Sequence, residues 1–251
     1  MPPRAGAPSR PSTTRSRRAI QRADSSAMSW LLTTSTGRPL AIKWEAENVP
    51  AILNVWFGGT EAGNAIADVL FGDVNPSGKL TTTFPQNVGQ VPLYYAVKNT
   101  GRPLTGKWFS KFQSNYLDVS NEPVYPFGYG LSYTAFTYGD LQLSATELKG
   151  AQTLKASLTV TNSGEREGKE TVQLYIRDLV GSVTRPVKEL KAFQKIRLKP
   201  GESRTVTFNI TPDDLKFYNY DLKYDWEPGE FEVMIGSNSR DVRKGKVNWL
   251  K

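Results

Sequence analysis

The chain has 251 residues, a net charge of +8, and neither cysteine nor histidine. Disulfides, thiolate chemistry, a Ser-His-Asp triad and a zinc site of the usual kind are therefore excluded. No stretch approaches the roughly 20 apolar residues of a membrane helix, so no membrane partner is expected, and acid–base chemistry would fall to carboxylates, lysine or tyrosine.

Residues 1–36 are rich in Pro, Arg, Ser and Thr, and Arg4, Arg10, Arg15, Arg17, Arg18 and Arg22 face a single acid, Asp24. Most of the positive excess lies here. Such a segment buries too little apolar surface to offset its ordering entropy, which predicts a disordered leader. It lacks the apolar core of a secretory signal peptide and faintly resembles a transit peptide. An accidental leader on a truncated gene is the simpler reading. Beyond it charges of both signs are interspersed, an ordinary solvated surface, so no nucleic-acid partner is expected.

Residues 37–85 read as part of an α/β layer, with Trp30 to Thr34 as a strand remnant just before it. Gly37-Arg38-Pro39 is a turn, and Glu45 and Glu47 fall in a solvated turn rather than an acid/base pair. Ala51 to Phe57 is a short apolar strand broken at Gly58-Gly59. Thr60 then suits an N-cap, with Glu61 in the first turn, where the helix dipole favours a carboxylate. Ala62, Ile66, Val69 and Leu70 recur at helical spacing, and Gly72 stands where a left-handed residue closes a helix. Asn75-Pro76-Ser77-Gly78 is a turn, and Leu80 to Phe84 a second strand stopped by Pro85.

Residues 86–139 form a long irregular stretch containing Tyr94, Tyr95, Trp108, Phe109, Phe112, Tyr116, Tyr125, Phe127, Tyr129 and Tyr133. Loops of this length are functional or packed on a neighbour. The rings suit either stacking on sugars or bases, or joining two domains, and the second reading is the stronger. Pro126 to Gly130 is tight-turn chemistry that carries the chain between domains.

From 140 to 251 the period becomes two. Leu154, Ala156, Leu158 and Val160 alternate with polar residues, as do Val172, Leu174 and Ile176, then Val206, Phe208 and Ile210, then Phe231, Val233 and Ile235. Turns at Asn162-Ser163-Gly164, Lys199 to Glu202 and Glu227-Pro228-Gly229 separate them. This predicts an immunoglobulin-like β-sandwich of about seven strands.

Three segments carry a resemblance. WFGGTEAGNAIADVLFGDVNPSGKLTTTFP, residues 56–85, resembles the C-terminal part of the α/β sandwich domain of glycoside hydrolase family 3. NEPVYPFGYGLSYTAF resembles that family's link into its fibronectin type III-like domain, and TRPVKELKAFQKIRLKPGES, from Thr184 to Ser203, resembles a hallmark of that domain. VGQVPLYY with NTGRP, between Val88 and Pro103, is similar to the periplasmic β-glucosidase branch. The resemblance spans roughly residues 37–251 and implies α/β plus all-β architecture lacking the family's N-terminal barrel.

Members of the family are retaining enzymes that use a nucleophilic Asp and a general acid/base Glu. The Asp belongs to the barrel, in a Ser-Asp-Trp-like context; here the one Asp-Trp, Asp225-Trp226, lies in the sandwich. The Glu maps within or before the leader, which has none. The resemblance thus implies no catalytic residue in this chain, no cofactor and no metal. Glu61, Asp68 and Asp73 suit structural roles, and Asp118 and Glu122 lie in the aromatic loop. Asn99, Arg102, Tyr116 and Asp118 are the candidates for a substrate rim. Two functions follow: an inert C-terminal portion of a β-glucosidase, or a carbohydrate-binding or scaffold module docking on a glycosidase barrel. The partners would be a β-glucoside or oligosaccharide in the parent enzyme, a barrel domain, or a homo-oligomeric copy. The resembling family is periplasmic or secreted.

Overall fold

The computed structural model describes residues 31–103 and 110–251. Most of the expected leader, residues 1–30, lies outside the described residues. Leu31–Thr34 (β1), on the leader side of the boundary drawn at residue 36, is a strand parallel to Ala51–Asn54 (β2), with Leu31 opposite Ala51.

Between them Lys43–Asn48 forms a short helix, α1. The expected solvated turn at Glu45 and Glu47 is thus corrected: with Ile42 buried beneath its start, the segment closes helical bonds from Ala46 to Ile42 and from Val49 to Glu45. The next helix, Ala62–Phe71 (α2), starts at Glu61 rather than Thr60. Its N-cap makes no side-chain capping bond; the Glu61 carboxylate instead accepts from the Asn64 amide at 2.6 Å. Gly72 closes α2 in the left-handed region, with φ of 85°, where a side chain would be strained. Against β2 the helix leaves an apolar cleft of about 440 Å³ lined by Leu53, Val55, Ala62, Ile66 and Val69, and no α2 residue is fully buried.

Leu80 to Phe84 is not a continuous strand. Leu80 and Phe84 each pair once with the crossing segment: Leu80 exchanges bonds of 2.7 Å with Gly128 and Tyr129, and Phe84 donates to Tyr125 at 2.9 Å. Two anchor points separated by unpaired residues follow from a partner that is itself a turn, not a strand.

The second unit is a two-sheet sandwich. Its strands are Phe136–Tyr138 (β3), Gln142–Leu143 (β4), Glu147–Lys149 (β5), Leu154–Asn162 (β6), Gly168–Asp178 (β7), Glu189–Leu198 (β8), Ser203–Ile210 (β9), Gly229–Gly236 (β12) and Val242–Leu250 (β13), with a small hairpin of Phe217–Tyr218 (β10) and Tyr224–Asp225 (β11) after the short helix Pro212–Leu215. One sheet runs β5-β13-β12-β7-β8; in the other β6 pairs with β9 on one edge and with β3 and β4 on the opposite edge. The alternation read at Leu154–Val160, Val172–Ile176, Val206–Ile210 and Phe231–Ile235 fills the space between the sheets. Strands β8 and β13 were missed by that pattern because few of their side chains are core: Ile196 and Leu198 in one, Val247 and Trp249 in the other.

Trp249 closes one end of the core. It is 1% exposed, meets Trp226 edge-on at 6.2 Å and donates its indole N–H to the Gly150 carbonyl at 3.1 Å. Trp249→Ala should therefore lower stability by about 3–5 kcal/mol, read as a lower urea midpoint at unchanged slope. Limited proteolysis of the whole chain should cut residues 31–85 before the sandwich and leave a fragment of about residues 140–251, since the helices of the first unit bury no residue completely while the sandwich holds a continuous core; equal protection of both regions would overturn this.

Candidate functional site

Strand β7 carries the site's foundation because both its faces are covered. Val172, Leu174 and Ile176 face the sandwich core. On the opposite face Gln173 and Tyr175 are also buried, and the crossing segment lies on them. Tyr175 donates its hydroxyl to Gln173 Oε1 at 2.5 Å. The Gln173 amide donates to the Gly128 carbonyl at 3.1 Å and the Ser237 carbonyl at 2.7 Å. Gly128 has φ of 78°, and a Cβ there would stand 2.0 Å from Gln173 Oε1, so only glycine fits.

Aromatic rings complete the seat. Tyr95 stacks on Phe127 at 4.3 Å and meets Tyr175 edge-on, while Tyr125 stacks on Tyr129 and meets Phe84. Tyr133 donates to the Val69 carbonyl at the end of α2, and the Arg166 guanidinium lies over its ring. These contacts join the α/β unit to the sandwich. Trp108 and Phe109 lie outside the described residues; Tyr94 and Phe112 are exposed.

Polar contacts tie the same joint. Asn75 accepts from Ser132 Oγ and the Tyr133 amide, and donates to the Glu167 carbonyl. Lys79 pairs with Glu170 at 3.1 Å, both nearly buried, and also donates to the Gly130 carbonyl. Tyr138 donates to Glu170 at 2.8 Å. Burial, then the neighbouring Glu170 charge, raises the Tyr138 phenol beyond its ordinary range; burial likewise raises Tyr125 and Tyr175. All three stay protonated at neutral pH, and Tyr138 and Tyr175 serve as hydrogen-bond donors.

The proposed rim residues sit on the loop held by this seat. Asn99 is an exposed turn residue whose Oδ1 accepts from the Gly101 amide at 3.2 Å. Arg102 has an exposed side chain, and its carbonyl accepts from the Ser114 amide at 2.8 Å. Tyr116 is half-buried and donates its hydroxyl to the Gln90 carbonyl at 3.3 Å. Asp118 is exposed. The loop brings the turn at Asn99–Arg102 beside Ser114, with Thr100 and Ser114 hydroxyls 2.7 Å apart; Tyr116 faces inward as a brace.

Sequence reasoning missed the loop's hub, Gln90, which is 1% exposed. Its Oε1 accepts from the Gln86 and Asn87 amides, and its amide donates to the Ser120 carbonyl. The signal was present: Asn87-Val88-Gly89-Gln90 is a capping box, formed here around a single 3-10 turn. The Gln86 amide adds bonds to Ser120 Oγ and the Glu122 carbonyl.

Several acids outside this loop are engaged in the scaffold. Glu61 bonds Asn64, Glu167 pairs with Arg197, and Glu227 accepts from Ser182. Asp178 stands 3.6 Å from Arg185, which also pairs with Glu189; burial raises the Asp178 carboxyl, with Arg185 opposing. Among the described residues no group of three or more Asp or Glu is placed to hold a metal.

Comparison with known proteins matches both units. The glycosyl hydrolase family 3 C-terminal domain model matches residues 10–133, and the fibronectin type III-like domain model residues 170–239. The chain is 52% identical to a periplasmic β-glucosidase of Salmonella typhimurium over 88% of this chain and 29% of that protein. It is 47% identical to a β-xylosidase of Formosa agariphila, over 81% and 27%. The crystal structure of a Listeria innocua β-glucosidase in complex with isofagomine superposes with a TM-score of 0.83 at 45% identity, over 88% of this chain and 31% of that one. β-Glucosidase 3B of Thermotoga neapolitana, with α-D-glucose, gives 0.68 at 35% identity. The chain spans less than a third of the length of these relatives. The matches agree with an α/β domain followed by a fibronectin type III-like sandwich.

The Lys79–Glu170 pair should behave as a buried joint. Glu170→Ala strands Lys79 and should cost about 3–5 kcal/mol, whereas the double variant Lys79→Met, Glu170→Met should recover most of it. Urea unfolding followed by tryptophan fluorescence measures both.

Proposed function

Because the chain belongs to glycoside hydrolase family 3 and corresponds to the C-terminal part of its β-glucosidases, we propose that it works as the scaffold half of a retaining β-glucosidase and is inert alone. In this reading the two catalytic carboxylates, held about 5–5.5 Å apart across the sugar in retaining enzymes, come from the portion of the relatives that this chain does not match. The chain contributes the braced loop, with Asn99, Arg102 and Asp118 on its surface and Tyr116 beneath it as the brace. The observation that carries the proposal is the match itself: high identity across nearly all of this chain, confined to under a third of each relative.

The partner is a glycosidase barrel. The exposed first unit supports this. A two-stranded parallel sheet normally has both faces covered, yet the cleft between β2 and α2 lies open, and Phe57 before α2 and Phe71 at its end are 81% and 85% exposed. The substrate class is a terminal β-glycoside. The relatives' names divide between β-glucosidase and β-xylosidase, and the higher identity favours glucose.

A purified chain at high concentration should release no aryl alcohol from a chromogenic aryl β-glucoside or β-xyloside. Adding the separately expressed barrel portion of the Salmonella relative should restore hydrolysis of the glucoside. Turnover by the chain alone that follows the protein through purification would overturn the proposal, as would a barrel portion that stays inactive when bound to the chain.

A further inference from the structure

The hairpin β10–β11 belongs neither to the sandwich sheets nor to the loop seat, and it presents rings to solvent. Tyr218, Tyr220 and Tyr224 are 68%, 79% and 60% exposed; Tyr218 and Tyr224 stand opposite each other across the hairpin with centroids 5.1 Å apart and ring planes tilted by 48°. An exposed group of rings on a floppy tip would mean little. This tip is built.

Asn219 organises it. Its Oδ1 accepts from the Asp221 and Lys223 amides, its own amide donates to the Lys223 carbonyl, and its carbonyl accepts from Leu222. Leu222 is thereby held at φ of 58°, a conformation a leucine adopts only under constraint. The Tyr220 amide donates to Ser182 Oγ at 3.1 Å, and Ser182 is held twice by Glu227. Under the hairpin, Phe217 is buried with the Arg185 guanidinium 3.9 Å from its ring. The ordering cost of presenting these rings is therefore met by the fold before anything binds.

The surrounding charges select against ionic partners. Lys216 pairs with Asp213 and Lys251 with Asp225, and the tip itself adds one acid, Asp221, and one base, Lys223. A polyanion or an anionic membrane surface finds no net field here. Tyrosine joins an apolar face to a polar hydroxyl. That chemistry matches a pyranose ring, which offers C–H groups on its faces and hydroxyls at its edge.

We propose that Tyr218, Tyr220 and Tyr224 form a docking platform for a neutral β-glucan chain, at a site separate from the loop seat. The platform rests on the hairpin alone; the choice of a β-glucan among neutral glycans rests on the function proposed above. The test is co-sedimentation of the whole chain with insoluble β-1,3-glucan, cellulose, xylan and chitin, at low and high salt. The chain should sediment with at least one β-glucan, equally at both salts, since no ion pairs are involved. Each Tyr→Ala substitution should weaken binding about two- to tenfold with the melting temperature unchanged, and the triple variant should abolish it.

Absence of binding, binding retained by the triple variant, or loss of binding in high salt overturns the platform. Binding to xylan or chitin without β-glucan overturns the glucan assignment. Light scattering gives the remaining outcome: a dimer that dissociates in the triple variant would make a second copy of the chain the occupant and overturn the proposal. Sedimentation needs no catalysis, so failure to regain hydrolysis with a barrel portion would leave its result intact.

Discussion

A strand buried on both faces is the constraint on which this structure depends. Strand β7 gives Val172, Leu174 and Ile176 to the sandwich core and Gln173 and Tyr175 to the crossing segment. An alternating strand in a two-layer sandwich ordinarily keeps its second face in water. Here that face must instead be satisfied by polar partners, and the Gln173 amide, between the Gly128 and Ser237 carbonyls, provides them. Without Gln173, two carbonyls in a dry interface would lose their donor, a penalty larger than the gain from the bonds themselves. The seat thus holds by hydrogen-bond satisfaction as much as by ring packing.

The same joint shows how unequal polar and apolar contributions are. Tyr95 on Phe127 and Tyr125 on Tyr129 supply area and are tolerant of small shifts. Lys79 and Glu170 supply little net stability but admit only one arrangement, because separating them leaves a charge in a nearly dry site. Asn75, which serves both the turn after α2 and the segment entering β3, acts similarly. The relative placement of the two units is therefore specified by a few polar groups set among many permissive aromatic ones.

The two-residue period of β6, β7, β9 and β12 was legible because those strands place one face in the core. Strands β8 and β13 were not, since each gives only two residues to the buried core, Ile196 and Leu198 in one and Val247 and Trp249 in the other. Helix α2 and its glycine stop were readable from spacing, whereas its start was not: Glu61 takes the N-cap position without capping, so the usual Thr signal at position 60 misled. Helix α1 was hidden for a different reason, being held by one buried residue, Ile42, that lies outside it. In the loop, the exposed candidates Asn99, Arg102 and Asp118 were named from the family resemblance. Gln90 was passed over because an isolated glutamine in an irregular segment looks solvated until the backbone folds around it.

The loop's tip and its base answer to different rules. The base, from Gly128 to the Gln90 turn, is fastened at close quarters, and a Cβ at Gly130 would stand 2.3 Å from the Gly78 carbonyl. Among the described residues, the turn at Asn99–Arg102 is held by Ser114, which meets the Thr100 hydroxyl and the Arg102 carbonyl, and by Val97 and Lys98 against Pro186 and Val187 before it. The exposed Arg102 side chain at that turn is thus less constrained than the buried groups of the base. Within one lineage this arrangement lets the exposed side chains of the loop diversify by substitution, with no accompanying change in the frame that carries them.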